Sequence, residues 1–371
     1  MKIENFVNIL GSDFFVGVPD SLLKSLCDYL YGKYGTDPLH HIVAPNEGNA
    51  VALAAGYHLA TKKYPVVYMQ NSGEGNAVNP MASLMDEHVY GIPAIYVIGW
   101  RGEPGVHDEP QHVYQGIITC KLLELMNVDY FVVTKETSNE EMATKMIEYK
   151  RLLQAGKSVA FVIKKGALSN DNKVLYGNNY TNTRESIIET IIKYTGHDPI
   201  ISTTGKASRE LFELREKYNQ GHQNDFLTVG SMGHSSSIAL GIAINKPGKR
   251  VWCIDGDGAL LMHMGAMTCI GNYAPSNLVH IVINNESHET VGGMPTNTKK
   301  LQLTKIAEAC GYNKCYQVNT IRELDKVLEK VICDNTLTFI EVKASVGARA
   351  DLGRPTTTAK ENKENFMLAL A

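Results

Sequence analysis

The stretch that decides the fold is Val251-Trp-Cys-Ile-Asp255-Gly256-Asp257-Gly258, continued by Leu278-Val-His-Ile-Val-Ile283-Asn284-Asn285-Glu286-Ser287. Val251–Ile254 has the length and apolar character of a buried strand. It stops at a turn in which two glycines permit close backbone approach to a ligand. A helix is expected from Ala259 to about Tyr273, then a second buried strand over Leu278–Ile283. The distance from Gly256 to Asn285, about 30 residues, is that of one strand–helix–strand unit. Two parallel strands would then deliver Asp257 and Asn285 to one sheet edge, where ligands of open α/β sheets bind. The Asp257 carboxylate, the Asn285 amide oxygen and the main-chain carbonyl of Ser287 are hard oxygen donors of the kind that suit Mg²⁺. Taken alone, Gly-Asp-Gly also describes an ordinary turn.

Working outward, the first half alternates strands with helices. Strands are expected at Phe14–Val18, His41–Val43, Val66–Met69, Ala94–Ile98, Tyr130–Val133 and Val159–Ile163. Helices are expected near 20–34, 46–62, 76–88, 113–126 and 139–155. Residues 167–183 turn polar and Asn-rich and read as a linker. The second half repeats the pattern, with strands near 199–202, 226–229, 251–254, 278–283, 314–318 and 338–342. The expected fold is α/β: two mostly parallel six-stranded sheets flanked by helices, with domains at 1–166 and 184–371.

Composition bounds the function. A chain of 371 residues exceeds one ordinary core. Its net charge of −3 argues against a nucleic-acid surface or a polybasic anchor. Cysteines 27, 120, 253, 269, 310, 315 and 333 form no Cys-x-x-Cys and read as reduced thiols of a cytoplasmic protein. No secretory signal or membrane span is expected. Gly73-Glu-Gly75-Asn-Ala-Val78 lacks the third glycine of a dinucleotide fingerprint, and no P-loop is present, so nicotinamide and ATP readings have no motif.

Three further segments complete the pattern. Ala44-Pro-Asn46-Glu47-Gly48-Asn49 follows a strand and opens an Ala-rich helix, where Asn46 and Glu47 could simply cap it. Thr228-Val-Gly230-Ser-Met232-Gly233-His234-Ser235 precedes another helix and could likewise be a turn and cap. Thr203-Thr-Gly205-Lys206 starts a helix whose N-terminus could receive phosphate, although a solvated Lys–Arg face reads equally well there.

With these stretches the chain resembles the thiamin-diphosphate (ThDP) enzymes, and end to end it is similar to their decarboxylases of 3-phosphonopyruvate. The decarboxylases of sulfopyruvate are near relatives. Gly17-Val-Pro-Asp20-Ser21, Gln70-Asn71-Ser-Gly, Gly102 to His112, Glu286 to Thr296 and Leu352-Gly-Arg354-Pro carry that similarity. The resemblance implies ThDP and Mg²⁺ as cofactors, with Asp257, Asn285 and Ser287 holding the metal. It makes Glu47 the carboxyl that activates the aminopyrimidine, Met232 the wedge beneath the cofactor and Gly230 the carbonyl for its amino group. His234, Ser235, Gly256, Gly258 and Ala259 would line the diphosphate. Asp20, His107 and His112 are candidates for proton transfer. Ser21, Asn71, Arg101, Arg349 and Arg354 are candidates for a dianionic substrate.

The implied reaction, in phosphonate biosynthesis, converts 3-phosphonopyruvate to phosphonoacetaldehyde and CO2. The substrate is a small anionic 2-oxoacid, and the assembly is a homodimer or larger with active sites at the subunit interface. Sulfopyruvate or another 2-oxoacid is the alternative substrate, and a non-catalytic ThDP-binding protein the alternative class. A flavin-dependent relative would need a middle domain, for which the linker has no room. Glu74, where relatives tend to be apolar, and Met294, where they tend to carry glutamine, depart from the pattern.

Overall fold

The computed structural model describes all 371 residues. Its first sheet contains β1 (Phe15–Gly17), β2 (His41–Val43), β3 (Val66–Gln70), β4 (Ile95–Gly99), β5 (Asp129–Val133) and β6 (Val159–Ile163). The second contains β7 (Ile200–Ser202), β8 (Asp225–Leu227), β9 (Val251–Gly256), β10 (Leu278–Asn284), β11 (Lys314–Val318) and β12 (Thr338–Lys343). Strand orders are β2-β1-β3-β4-β6-β5 and β11-β12-β10-β9-β7-β8. Read from the other edge, the second order is the first with six added to each number, so one topology is used twice. Every pairing is parallel rather than mostly so.

Parallel strands are covered on both faces, and the pleat sorts their side chains between two cores. In β9, Trp252 and Ile254 join Val279, Ile281 and Ile340 on one face. Val251 and Cys253 join Leu278, Val282 and Phe339 on the other. The first sheet has its own core, with Val16, Val67, Met69, Tyr96, Ile98 and Val162 among its members. The compact units are 1–175 with 291–294, and 176–290 with 295–371. No helix is long and apolar enough to cross a membrane.

Several elements differ from the sequence reading. The helix expected over 259–273 is two, Asp257–Met262 and Ala266–Tyr273. His263 leaves the helical region (φ −133°, ψ 44°) and interrupts the ladder. The helix expected over 76–88 begins at Glu74, and beyond Pro80 it widens into a π turn over Met81–Met85. A proline lacks the N–H that would continue the ladder, which accounts for the change. Helix 20–34 starts at Lys24. Terminal helices Ile3–Leu10 and Ala359–Leu370 lie outside the segments read from sequence. The second carries a legible signal, the Thr358/Glu361 capping box.

The Asn-rich stretch is more than a spacer. Within the second unit, Asn178 Nδ2 donates to the carbonyls of Asn285 (2.8 Å) and Ala344 (3.0 Å). Asn182 Nδ2 donates to those of Asn319 (2.6 Å) and Lys343 (3.1 Å). These amides satisfy carbonyls where β10, β11 and β12 end.

Candidate active site

In the second unit the strand order reverses between β7 and β9, and such a switch point opens a crevice at the strands' carboxyl ends. Register aligns Ile283 with Gly256, so Asp257 and Asn284-Asn285 leave their strands side by side. Asp257 is buried (3% exposed) and its Oδ2 accepts from Thr296 Oγ1 at 2.6 Å, with Thr298 Oγ1 at 3.2 Å. Burial pushes its carboxyl up to about 6. Asn284 donates to Glu341 (2.8 Å), and Asn285 donates to Glu289 (2.9 Å) while its Oδ1 accepts from the Ser287 N–H (3.1 Å).

The loop between β8 and the Ser235–Asn245 helix closes over this edge. Gly230, Ser231 and Gly233 all have positive φ (69°, 45° and 87°), and Gly230 N–H donates to Thr204 Oγ1 at 3.0 Å. Ser231 is not a glycine, so its left-handed backbone is a strained turn. A Cβ built on Gly258 would lie 3.1 Å from the His288 ring and 3.3 Å from Met232 Cε, so Met232 and His288 meet over that glycine. His234 is exposed and lies 4.3 Å from His263, ring to ring. Ser235 is buried at the helix start, and Ala259 is buried in the turn after Asp257.

What this edge lacks is informative. Thr203 Oγ1, Thr228 Oγ1, Ser235 Oγ and His288 Nδ1 are buried without a hydrogen-bond partner. All four follow the carboxyl ends of β7, β8 or β10. The helices Lys206–Lys217 and Ser235–Asn245 start there with no side-chain cap. Buried polar groups normally find partners, and bare helix N-termini favour anions. A ligand carrying phosphate oxygens fits this edge, and the oxygens of Asp257, Asn285 and Ser287 fit a hard cation beside it. By contrast, Cys253, Asp255 and His280 converge within 4.8 Å in the core, but both His280 nitrogens are already engaged by Tyr312 and Asp255.

The first unit gathers a different set. Glu47 begins the Glu47–Thr61 helix behind the Asn46 cap, is 5% exposed and accepts from Asn76 Nδ2 at 2.8 Å. Burial pushes its carboxyl above the usual range. A Cβ on Gly73 would fall 2.5 Å from Glu47, so only glycine allows this contact. Asp20, buried after β1, accepts from Gln70 Nε2 at 2.6 Å, and burial raises its pKa. Asn71 exchanges hydrogen bonds with the Arg101 backbone (2.8 and 3.1 Å). Arg101 in turn donates to Ser21 Oγ (3.0 Å) and Asp108 (2.8 Å).

Asp20, Ser21, Asn71 and Arg101 are therefore neighbours. His107 is exposed, and His112 is buried in the Pro110–Leu125 helix. In the second unit, Arg349 is engaged by Glu185 (2.9 Å), Glu213 and Asp351 (3.0 Å), and Arg354 is exposed. Sequence reasoning missed Asn76, Gly73, Thr298, His288 and Glu289 as parts of these clusters. His288 and Glu289 stood in a quoted stretch without a role.

Comparison with known proteins gives the family. The N-terminal TPP binding domain of thiamine pyrophosphate enzymes matches residues 5–150, and their C-terminal TPP binding domain matches residues 203–342. The chain belongs to the thiamine pyrophosphate enzyme family. Like its relatives in this family it is a carboxy-lyase, a ThDP-dependent decarboxylase. It is 31% identical to phosphonopyruvate decarboxylase of Streptomyces viridochromogenes, over 96% of this chain and 91% of the relative. The Streptomyces hygroscopicus protein of the same name is 30% identical over 96% and 90%. Sulfopyruvate decarboxylase of Methanosarcina acetivorans is 25% identical over 92% and 90%.

One residue of this ThDP enzyme is out of keeping with its surroundings. Glu74 is 1% exposed, neither carboxyl oxygen has a partner, and burial pushes its pKa up to about 8. The same carboxyl ionises near 4.5 when unfolded, so between those pH values unfolding releases a proton and alkali favours it. Stability from this residue is complete below pH 4.5 and is lost as pH rises through about 8. Glu74→Leu should raise the melting temperature at pH 8 by a few degrees and flatten its decline from pH 5 to 8, as measured by thermal unfolding across pH.

Proposed function

We propose that this enzyme decarboxylates 3-phosphonopyruvate to phosphonoacetaldehyde and CO2 with ThDP and Mg²⁺. The observation that carries the substrate is similarity across 96% of the chain to two proteins named phosphonopyruvate decarboxylase. Sulfopyruvate is the second reading, favoured by the similarity to sulfopyruvate decarboxylase over 92% of the chain. ThDP, when bound, supplies an electron sink for the pair released as CO2 departs. In this reading the second unit receives its diphosphate and metal, and the first its pyrimidine.

The chain's residues divide the remaining work. Asp257, Asn285 and the Ser287 carbonyl hold Mg²⁺, while Gly256 and Gly258 let the backbone approach the phosphates. The Ser235 hydroxyl and the uncapped N-termini behind Gly205 and His234 donate to them. Met232 supports the cofactor from below. Glu47, buried and held by Asn76, keeps a proton at the pyrimidine nitrogen. Asp20, buried against Gln70, holds a proton for the departing aldehyde. Ser21 and Arg101 supply donors for the phosphonate, where a guanidinium suits a dianion. Asn71 is fully buried and gives both amide hydrogens to the Arg101 carbonyl and Thr119, so it holds the Arg101 backbone in place rather than meeting the substrate.

The deciding experiment is aldehyde release by the purified protein from phosphonopyruvate, sulfopyruvate and pyruvate. A remote anion whose binding energy is used at the reacting centre should affect kcat as well as KM. The expected order of kcat/KM is phosphonopyruvate, then sulfopyruvate, then pyruvate. Equal efficiency on pyruvate would assign a general 2-oxoacid decarboxylase instead.

Glu47→Gln should retain ThDP binding, because the amide keeps the carboxyl's volume. Proton exchange at the thiazolium C2, followed by deuterium incorporation, should slow by roughly two decades or more, at about 1.4 kcal/mol per decade. Unchanged exchange would leave Glu47 as a helix cap.

Assembly is part of the proposal: Glu47 and Asp257 serve one cofactor from two chains of a dimer. Co-expression of Glu47→Gln with Asp257→Ala, each inactive alone, should restore about a quarter of wild-type activity through mixed dimers with one intact site. No recovery, with mixed dimers demonstrated, would place both residues of each site on one chain.

A further inference from the structure

The metal-ligand candidates are held by a layer of side chains with no assigned role, and one of these controls an amide's direction. Asn285 is symmetric in shape but not in chemistry, since one end accepts and the other donates. To face a cation it must present Oδ1. Its Nδ2 donates to Glu289 Oε2 at 2.9 Å, and an ionised carboxylate can only accept. A flipped Asn285 would set its oxygen against that carboxylate and its NH2 against the Ser287 N–H, which now donates to Oδ1 at 3.1 Å. Both partners would then be mismatched.

Glu289 itself is firmly placed. Its side chain is 7% exposed and receives Arg184 Nη1 (3.0 Å), Lys206 Nζ (2.6 Å) and the Gly347 N–H (3.1 Å). Arg184 is also bonded through two nitrogens to Glu210, at 2.7 and 2.8 Å. Two cations and two carboxylates thus form a charge-balanced group, joined to the proposed metal ligands by the bond to Asn285. The neighbouring residue repeats the device, because Asn284 Nδ2 donates to Glu341, which is paired with Lys343 at 2.7 Å.

We propose that Glu289 is a positioning residue that sets the Asn285 amide with its oxygen towards the cation. This rests on the reading of Asn285 as a Mg²⁺ ligand. An orienting partner behind a metal ligand typically contributes 10–100-fold in metal affinity. A residue that merely tethers its loop, or only adds negative charge, would act whether or not residue 285 is an amide.

A double-mutant cycle separates these roles. The reading is the dissociation constant of Mn²⁺, a paramagnetic reporter for Mg²⁺, measured by electron paramagnetic resonance with the full chain and saturating ThDP. Glu289→Gln can both donate and accept, so it no longer selects one amide direction. It should weaken Mn²⁺ binding on the order of 10-fold when Asn285 is present, and less than about 2-fold in the Asn285→Ala background. The same weakening in both backgrounds would overturn the proposal and leave Glu289 a tether or a charge. Unchanged affinity in Asn285→Ala alone would overturn the metal assignment beneath it, a distinguishable result. Unfolding of the metal-free variants reports their folding. Should Glu289→Gln not fold, Glu289→Asp keeps the charge but withdraws it by one methylene, and the same cycle and outcomes apply.

Discussion

The parallel register between β9 and β10 is the constraint on which the site depends. Ile283 lies opposite Gly256, so both strands end level and their next residues are the acid and the two amides. A shift by one residue would exchange the faces of the whole strand. It would move Trp252 and Ile254 out of one core and Cys253 out of the other. The apolar packing of the strands therefore also fixes where Asp257 meets Asn285. Stability of the sheet and geometry of the site are one requirement.

Around that edge, polar groups fall into two populations. Some are fully matched: Asp257 with Thr296, Asn284 with Glu341, Asn285 with Glu289 and the carbonyl of Asn285 with Asn178. Others, at Thr203, Thr228, Ser235 and His288, are buried with nothing to bond. The first population locks orientation before a ligand arrives. The second carries a desolvation cost that a ligand can relieve, on the order of 1–3 kcal/mol for each group. Rigid supports next to unmet donors are what a preorganised binding site requires.

Much of this was legible along the chain, and the reasons are local. Val159–Ile163 has the bounds expected of it, because an apolar run between turn residues announces a strand, and the more polar Lys314–Val318 also keeps its expected bounds. Turn glycines and the Asp257–Asn285 spacing pointed to one edge for the same reason. The supporting contacts were not legible. Asn76 reaches Glu47 across 29 positions, Thr296 reaches Asp257 across 39 and Asn178 reaches Asn285 across 107. Periodicity carries no information about such pairs, and an Asn-rich segment reads as a spacer until its partners are seen. The break after Met262 had one local signal, Gly265, which caps the second helix, but a single glycine within a helical pattern does not by itself announce a break.

The repeated strand order bears on how the chain is made. No strand of either sheet pairs with a strand of the other, and the first sheet needs nothing beyond Ile163. A ribosome that has released the first 175 residues has supplied all six strands of the first sheet and every part of its unit except residues 291–294. Domains tend to fold as units in order of synthesis. The amino-terminal sheet can therefore close while the rest is still being translated, which shortens the time its apolar edges stay exposed to other nascent chains.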